Sequence, residues 1–190
     1  MAEMKNLARQ TAVYGISNIL GKFLNWLLVP LYTYILTSSA EYGVVTNLYA
    51  WTALLLVILT YGLETGFFRF ANKEDGDAQT VFGTVLTSVT VTSTIFAILV
   101  MLFSNDVANL LGYPSHPEYV TMMGIIVAID AVGTIPFAYL RYENKAGKFA
   151  IFKLLMILVN IAANLFFLIL CPKMKNDWGI NLPFYDEKYG

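Results

Sequence analysis

Hydrophobic residues along this chain fall into five long segments, which polar or turn-rich links separate. Each segment is longer than twenty residues. An α-helix rises about 1.5 Å per residue, so about 20 residues cross a bilayer core of about 30 Å. Only helices satisfy their own backbone groups in lipid at this segment length. The sequence therefore predicts an all-α membrane protein, with one bundle of five transmembrane helices over residues 1–171 and spans at about 11–36, 42–68, 79–103, 119–140 and 149–171.

Composition agrees with an integral membrane protein. Hydrophobic residues make up 57% of the chain and charged residues only 13%, with a mean hydropathy of +0.61. Links 37–41 and 104–118 contain no lysine or arginine. The basic residues lie instead before span one and in the other two links: Lys5, Arg9, Arg69, Lys73, Arg141, Lys145 and Lys148. The positive-inside rule therefore predicts a cytoplasmic N-terminus.

The first predicted span carries polar side chains along one face. Steps of four, four, three and seven residues bring together Tyr14, Asn18, Lys22, Asn25 and Tyr32. Lys22 lies about 16 Å from one end of the span and about 21 Å from the other, whereas its stem reaches about 6 Å. Such a lysine needs a partner or a water-filled cavity, because it costs about 2.5–3.5 kcal/mol on insertion scales. A polar cavity and a structural ion pair are equally good interpretations.

Two other predicted spans carry polar residues at the depth of Lys22. Asp130 lies about 15 Å from the cytoplasmic end of span four. An unpaired carboxylate there is costly, so we expect Asp130 to lie close to Lys22 or to share a polar cavity with it. A protonated Asp130 that is hydrogen-bonded to a neighbouring helix is the alternative. In span five, Asn160 and Asn164 share a helix face that contacts either a ligand or another helix.

Polar residues of spans two and three complete the candidate set. Glu64 lies within about a turn of the cytoplasmic end of span two and is expected to reach water, as is Arg69. Their separation of five residues does not place them on one helix face. Span three carries a hydroxyl face, formed by Thr80, Thr84, Thr87 and Ser88, which is typical of helix packing in lipid. A cavity lining is the less favoured interpretation of that face.

Side chains that perform catalysis or bind metals are scarce. The chain has one cysteine, Cys171, and one histidine, His116, so it lacks an intrachain disulfide and a cysteine or histidine metal cluster. The sequence contains no nucleophile motif and no paired carboxylates at helical spacing. We therefore expect no enzyme activity, no cofactor or metal, and no binding of nucleic acid.

Four short segments, residues 10–15, 29–33, 40–45 and 61–70, carry a family resemblance. As a set, and in the order and topology of the whole chain, they resemble the N-terminal half of bacterial polysaccharide biosynthesis proteins. These are the O-antigen and capsule repeat-unit flippases of the multidrug/oligosaccharidyl-lipid/polysaccharide exporter superfamily. The resemblance implies part of the N-terminal lobe of an alternating-access transporter in the bacterial inner membrane.

The resemblance also implies a substrate, partners and site residues. The substrate would be an undecaprenyl-diphosphate-linked oligosaccharide, and the partners would be membrane lipid and the remaining C-terminal lobe. Residues 172–190 would form a polar periplasmic segment that leads to a sixth span outside this chain. Because such flippases hold the diphosphate with basic cavity residues, Lys22 would be the anion contact beside Asn18 and Asn25. Arg69 would lie at the cytoplasmic mouth, and Glu41 would match an acidic position at the periplasmic gate.

Two other classes of function are compatible with the sequence. A small-molecule or drug exporter of the same superfamily would expose Asp130 and hide Lys22. A non-transporting membrane protein would instead pack Lys22 against Asp130 as a dry structural pair.

Overall fold

The computed structural model describes residues 2–35, 39–73 and 77–178, and within these ranges every regular element is a helix. Five helical stretches are long and apolar enough to cross a membrane. This finding confirms the predicted fold class. The stretches are Ala8–Ile35, Gly43–Ala71, Ala78–Leu102, Pro117–Tyr142 and Ala146–Met174.

Several of these stretches contain more than one helix, and a short helix links the third to the fourth. The elements are α1 (Ala2–Trp26), α2 (Leu28–Ile35), α3 (Ser39–Thr60), α4 (Leu63–Ala71), α5 (Ala78–Leu102), α6 (Ser104–Leu111), α7 (Pro117–Tyr142), α8 (Ala146–Leu165), a π-helical turn (Phe166–Leu170) and α9 (Cys171–Trp178).

Local sequence explains the breaks inside the first two spans. Pro30 lies in the first turn of α2 and has no N–H to donate to the carbonyl of Trp26, four residues before it. The helix is therefore interrupted at Leu27. In the second span, Tyr61 and Gly62 have φ angles of 30° and 73°. Glycine adopts that left-handed conformation without a steric penalty, so α3 ends before these residues and α4 begins after them.

Helical structure continues beyond residue 171, the predicted end of the fifth span. Pro172 is the second residue of α9 and follows directly on the π-helical turn, where the Cys171 N–H donates to the backbone oxygen of Phe166. Proline is tolerated in the first turn of a helix. The helix therefore extends to Trp178. The span boundary at residue 171 stays a prediction. Of the predicted polar segment 172–190, residues 179–190 lie outside the described residues.

The chain divides into two compact units. Unit one consists of residues 1–42 and 146–190, and unit two consists of residues 43–145. Unit one therefore brings the first and last spans together, although more than a hundred residues separate them in sequence. Unit two contains the spans in between.

The core of unit two forms where α4 packs against α5 and α7. Phe67 is fully buried there. Its ring lies 5.6 to 6.4 Å from the rings of Phe82, Tyr139 and Tyr142, measured between centroids. Gly124 of α7 allows a close approach to α5, since a Cβ atom at that position would lie 2.6 Å from Cγ1 of Val100. Small residues at such contacts let helices pack tightly in lipid.

A side-chain cap fixes the start of α5. Asp77 accepts hydrogen bonds from the backbone N–H groups of Gln79 and Thr80 and from the Thr80 hydroxyl. These bonds satisfy N–H groups that have no partner within the helix. The Thr80 hydroxyl is the main cause of a lowered pKa at Asp77, because its hydrogen bond favours the charged carboxylate.

Unit one is built on the contact between α1 and α8. Ser17 and Gly21 of α1 are buried, as are Phe149 and Ile157 of α8. A Cβ atom at Gly21 would lie 2.9 Å from Cδ1 of Ile157, which shows how closely the helices approach. One face of α1 is therefore committed to packing on α8.

Candidate functional site

Three exposed side chains lie along α1 at steps of four residues. Asn18 and Lys22 are exposed, and Trp26 is 60% exposed. Steps of four residues place them on the same side of the helix. We call Asn18, Lys22 and Trp26 the α1 row. Since the buried residues of α1 face α8, the α1 row lies on a side of the helix that is not used for this packing.

Lys22 lies at the centre of the span Ala8–Ile35. The ion pairs that the structure shows among the described residues do not include Lys22. A cation at mid-membrane depth needs polar surroundings, because exposure to acyl chains is costly. That the α1 row faces a polar space or an anionic partner therefore stays a prediction. The side chain of Asn25, which the sequence placed on the same face, lies outside the described part of the chain.

A second polar group of unit one connects α2 to α8. The Tyr32 hydroxyl donates to Oδ1 of Asn164 at 2.6 Å. Nδ2 of Asn164 in turn donates to the backbone oxygen of Asn160 at 2.9 Å and to its Oδ1 at 2.7 Å. The structure thus links two predicted polar residues, Tyr32 and Asn160, through Asn164. This arrangement is an interhelical hydrogen-bond network of the kind that holds membrane helices together.

In unit two, an ion pair joins α4 to α7. Nη2 of Arg141 donates to Oε1 of Glu64 at 2.5 Å, and the guanidinium carbon lies 5.7 Å from the centre of the Phe68 ring. Glu64 lies in the first turn of α4, where the helix dipole favours a negative charge. The Tyr142 hydroxyl also donates to the backbone oxygen of Ala71 at 3.2 Å. These contacts attach α4 to the end of α7.

The sequence predicted Glu64 as a residue that reaches water and as a possible charge partner or gate, together with Asp130, Glu41 and Asn160, but it did not identify Arg141 as the partner of Glu64. Both side chains are in fact partly exposed, at 40% for Glu64 and 33% for Arg141. One signal was available, because the positive-inside rule predicts the ends of spans two and four on the same side of the membrane. Arg69, by contrast, is exposed in the last turn of α4.

The remaining predicted site residues are placed as follows. Asp130 is exposed on α7. It belongs to unit two and Lys22 to unit one, so their expected proximity stays a prediction. The backbone of Glu41 is part of α3, but its side chain lies outside the described part of the chain.

The described residues of unit two line grooves on α5 and between α5 and α7. An open groove of about 630 Å³ follows the predicted hydroxyl face of α5, lined by Thr80, Gly83, Thr84, Thr87 and Ser88. The hydroxyl of Thr84 donates to the backbone oxygen of Thr80 within α5. A second groove of about 350 Å³ between α5 and α7 is lined mainly by aliphatic side chains, with the buried Ser93 at its wall. In residues 2–35, 39–73 and 77–178, no group of three or more His, Cys, Asp or Glu side chains is placed to hold a metal ion.

The five apolar helices and the polar groups at membrane depth define a multi-pass membrane protein. Residues 34–172 match the family described as polysaccharide biosynthesis protein. Since the match covers most of the chain, the protein belongs to the polysaccharide biosynthesis protein family, which confirms the resemblance noted in the sequence. The matched range begins within α2 and leaves α1 outside it. No curated protein and no solved structure matches the chain.

Proposed function

We propose that this protein moves undecaprenyl-diphosphate-linked oligosaccharide units across the bacterial inner membrane by alternating access, with its N-terminus in the cytoplasm. In this proposal the chain forms part of one lobe, lines the translocation cavity with α1 and performs no catalysis itself. Lys22 holds the diphosphate, with Asn18 beside it, and Arg69 attracts the substrate at the cytoplasmic mouth. The remaining C-terminal lobe closes the cavity.

The observation that carries this proposal is the exposed cation of α1 at the centre of its span. The substrate of such a pathway contains a diphosphate, and an ammonium group binds phosphate as a compact point charge. A cation in a polar cavity also explains why the chain tolerates the insertion cost of Lys22. Family membership supplies the biological context, because a polysaccharide biosynthesis protein with five apolar helices acts at a membrane.

The drug-exporter alternative fits the structure less well. That alternative requires an exposed Asp130 together with a hidden Lys22. Asp130 is indeed exposed, but Lys22 is exposed too. The exposure of Lys22 is therefore the feature that the drug-exporter alternative does not explain.

Replacement of Lys22 in cells tests the proposal. We expect Lys22→Ala in the full-length transporter to reduce surface polysaccharide at least about tenfold, since a charge-assisted contact to phosphate is worth about 1.5–3 kcal/mol. Lys22→Arg should retain most of the export because the positive charge is preserved. The measurement is surface polysaccharide per cell at equal membrane levels of each variant.

Lys148→Ala is the matched control, because Lys148 is an exposed lysine in the first turn of α8, far from mid-membrane depth. We expect this control to export normally. Normal export by Lys22→Ala, at an unchanged protein level, would remove the anion role of Lys22.

A further inference from the structure

An exposed aromatic pair lies at the end of α1, next to Lys22. The rings of Phe23 and Trp26 are stacked, with their centroids 6.1 Å apart and an angle of 27° between their planes. Phe23 is 52% exposed and Trp26 is 60% exposed. The contact to Phe23 supports the indole and leaves most of the Trp26 surface available.

Trp26 shares its side of the helix with Lys22. The two residues are one helical turn apart, which corresponds to about 6 Å along the axis. Under the proposed function Lys22 faces the polar cavity at the centre of the span, and this side of α1 then does not face acyl chains. The same orientation then applies to Trp26, which is a member of the α1 row.

An anchoring role at the membrane surface does not explain the position of Trp26. Tryptophan residues that anchor spans lie at the level of the lipid headgroups. Trp26 lies nine residues before the end of its span at Ile35, which places it about 13 Å from that end. The indole is therefore well inside the apolar region. Its position one turn from a cation indicates a role other than anchoring.

We propose that Lys22 and Trp26 together bind a sugar that is joined to a phosphate, in which the ammonium group pairs with the phosphate and the indole stacks on the first sugar ring. This inference rests on the proposed function and adds Trp26, next to the anion contact Lys22, as a residue that binds the sugar. One face of a pyranose ring presents C–H groups with partial positive charge, and the face of an indole carries negative charge. A plain lipid chain offers neither that polarity nor an anion for Lys22.

Direct binding with two probes tests the inference. The probes are dodecyl diphosphate and the same lipid with N-acetylglucosamine on the diphosphate, and calorimetry measures their affinities for the full chain in lipid nanodiscs. We expect the sugar-bearing probe to bind about 3- to 10-fold more tightly to the unchanged protein, as a stacking contact of this kind predicts. Trp26→Ala should abolish this difference and leave the affinity for dodecyl diphosphate unchanged, whereas Trp26→Tyr should retain most of it.

Trp51→Ala is the matched control, because Trp51 is an exposed tryptophan within the second span and has Asn47 and Leu55 one turn away instead of a cation. It should preserve the preference for the sugar. The inference is overturned if Trp26→Ala keeps the preference, or if it weakens both probes equally. In both cases a loss of dodecyl diphosphate binding in Lys22→Ala would still support the anion role of Lys22. If the unchanged protein binds neither probe, both the inference and the proposed function fail.

Discussion

An ion pair in unit two and a lysine of unit one have different surroundings. In unit two, Arg141 donates to Glu64 and lies over the Phe68 ring, so both charges have partners within the chain. In unit one, Lys22 lies among exposed side chains on a side of α1 that does not pack on α8. A charge that is paired inside its own unit stabilises that unit. A charge that is left exposed at mid-membrane depth is available for a ligand or a partner, and its cost has to be offset there.

The aromatic residues show the same contrast. Phe67 of unit two is fully buried and contacts four other aromatic rings. Phe23 of unit one is half exposed and contacts only the ring of Trp26 among the ring pairs described. The difference predicts that substitutions in unit two act on stability, whereas substitutions along the α1 row act on substrate binding.

Truncation of Phe67 and of Phe23 to alanine is the test of this comparison with the largest expected effect. We expect Phe67→Ala to lower the free energy of unfolding by about 3–5 kcal/mol, because it leaves a cavity among packed rings. Phe23→Ala should change it by less than about 0.5 kcal/mol. The measurement is reversible unfolding in mixed micelles, followed by circular dichroism. Equal losses for the two variants would contradict the distinction between the packed core of unit two and the exposed surface of α1.

A double-mutant cycle on Glu64 and Arg141 has the next largest expected effect. Arg141→Gln or Glu64→Gln alone should cost about 1–2 kcal/mol of stability, a moderate value because both side chains are partly exposed. The double variant should cost less than the sum of the two, since neither charge is then left without its partner. Lys22→Gln, the matching change in unit one, should leave stability unchanged. Strict additivity at Glu64 and Arg141 would show that their contact contributes no interaction energy.

Acidification should have the smallest effect, through the cap of α5. The pKa of Asp77 is lowered by the Thr80 hydroxyl, so the folded protein binds a proton at Asp77 less readily than the unfolded chain. Its contribution to stability is therefore present above the unfolded pKa, and it is lost as the pH falls through the folded pKa, below about pH 4.

Asp77→Asn serves as the matched variant, because asparagine caps helices equally well but does not titrate. Between pH 6 and pH 3, the melting temperature of the unchanged protein should fall slightly more than that of Asp77→Asn. The experiment sharpens the comparison, since the α1 row of unit one, which is Asn18, Lys22 and Trp26, contains no carboxyl group. An identical fall in both proteins would exclude Asp77 as the cause.

The sequence identified the candidate cation but not what surrounds it. Length and hydropathy sufficed to find the spans, and the depth of Lys22 followed from counting residues along a helix of known rise. The pairing of Glu64 with Arg141 could not be read from the sequence, because 77 positions separate the two residues and only helix packing brings them together. Trp26 was missed for a different reason. A tryptophan within an apolar run looks like any lipid-facing residue until the buried side of α1 is known.

Sequence alone determined that the protein is helical, that it enters the membrane and that one lysine lies at the middle of its first span, because the bilayer imposes the same length and polarity requirements on every helix. The tertiary structure decided which face of each helix is buried. Gly21 and Ile157 allow α1 to pack against α8, and the ion pair between Glu64 and Arg141 attaches α4 to α7. These contacts depend on the shapes of side chains from segments that are distant in sequence. A local sequence pattern does not reveal such contacts.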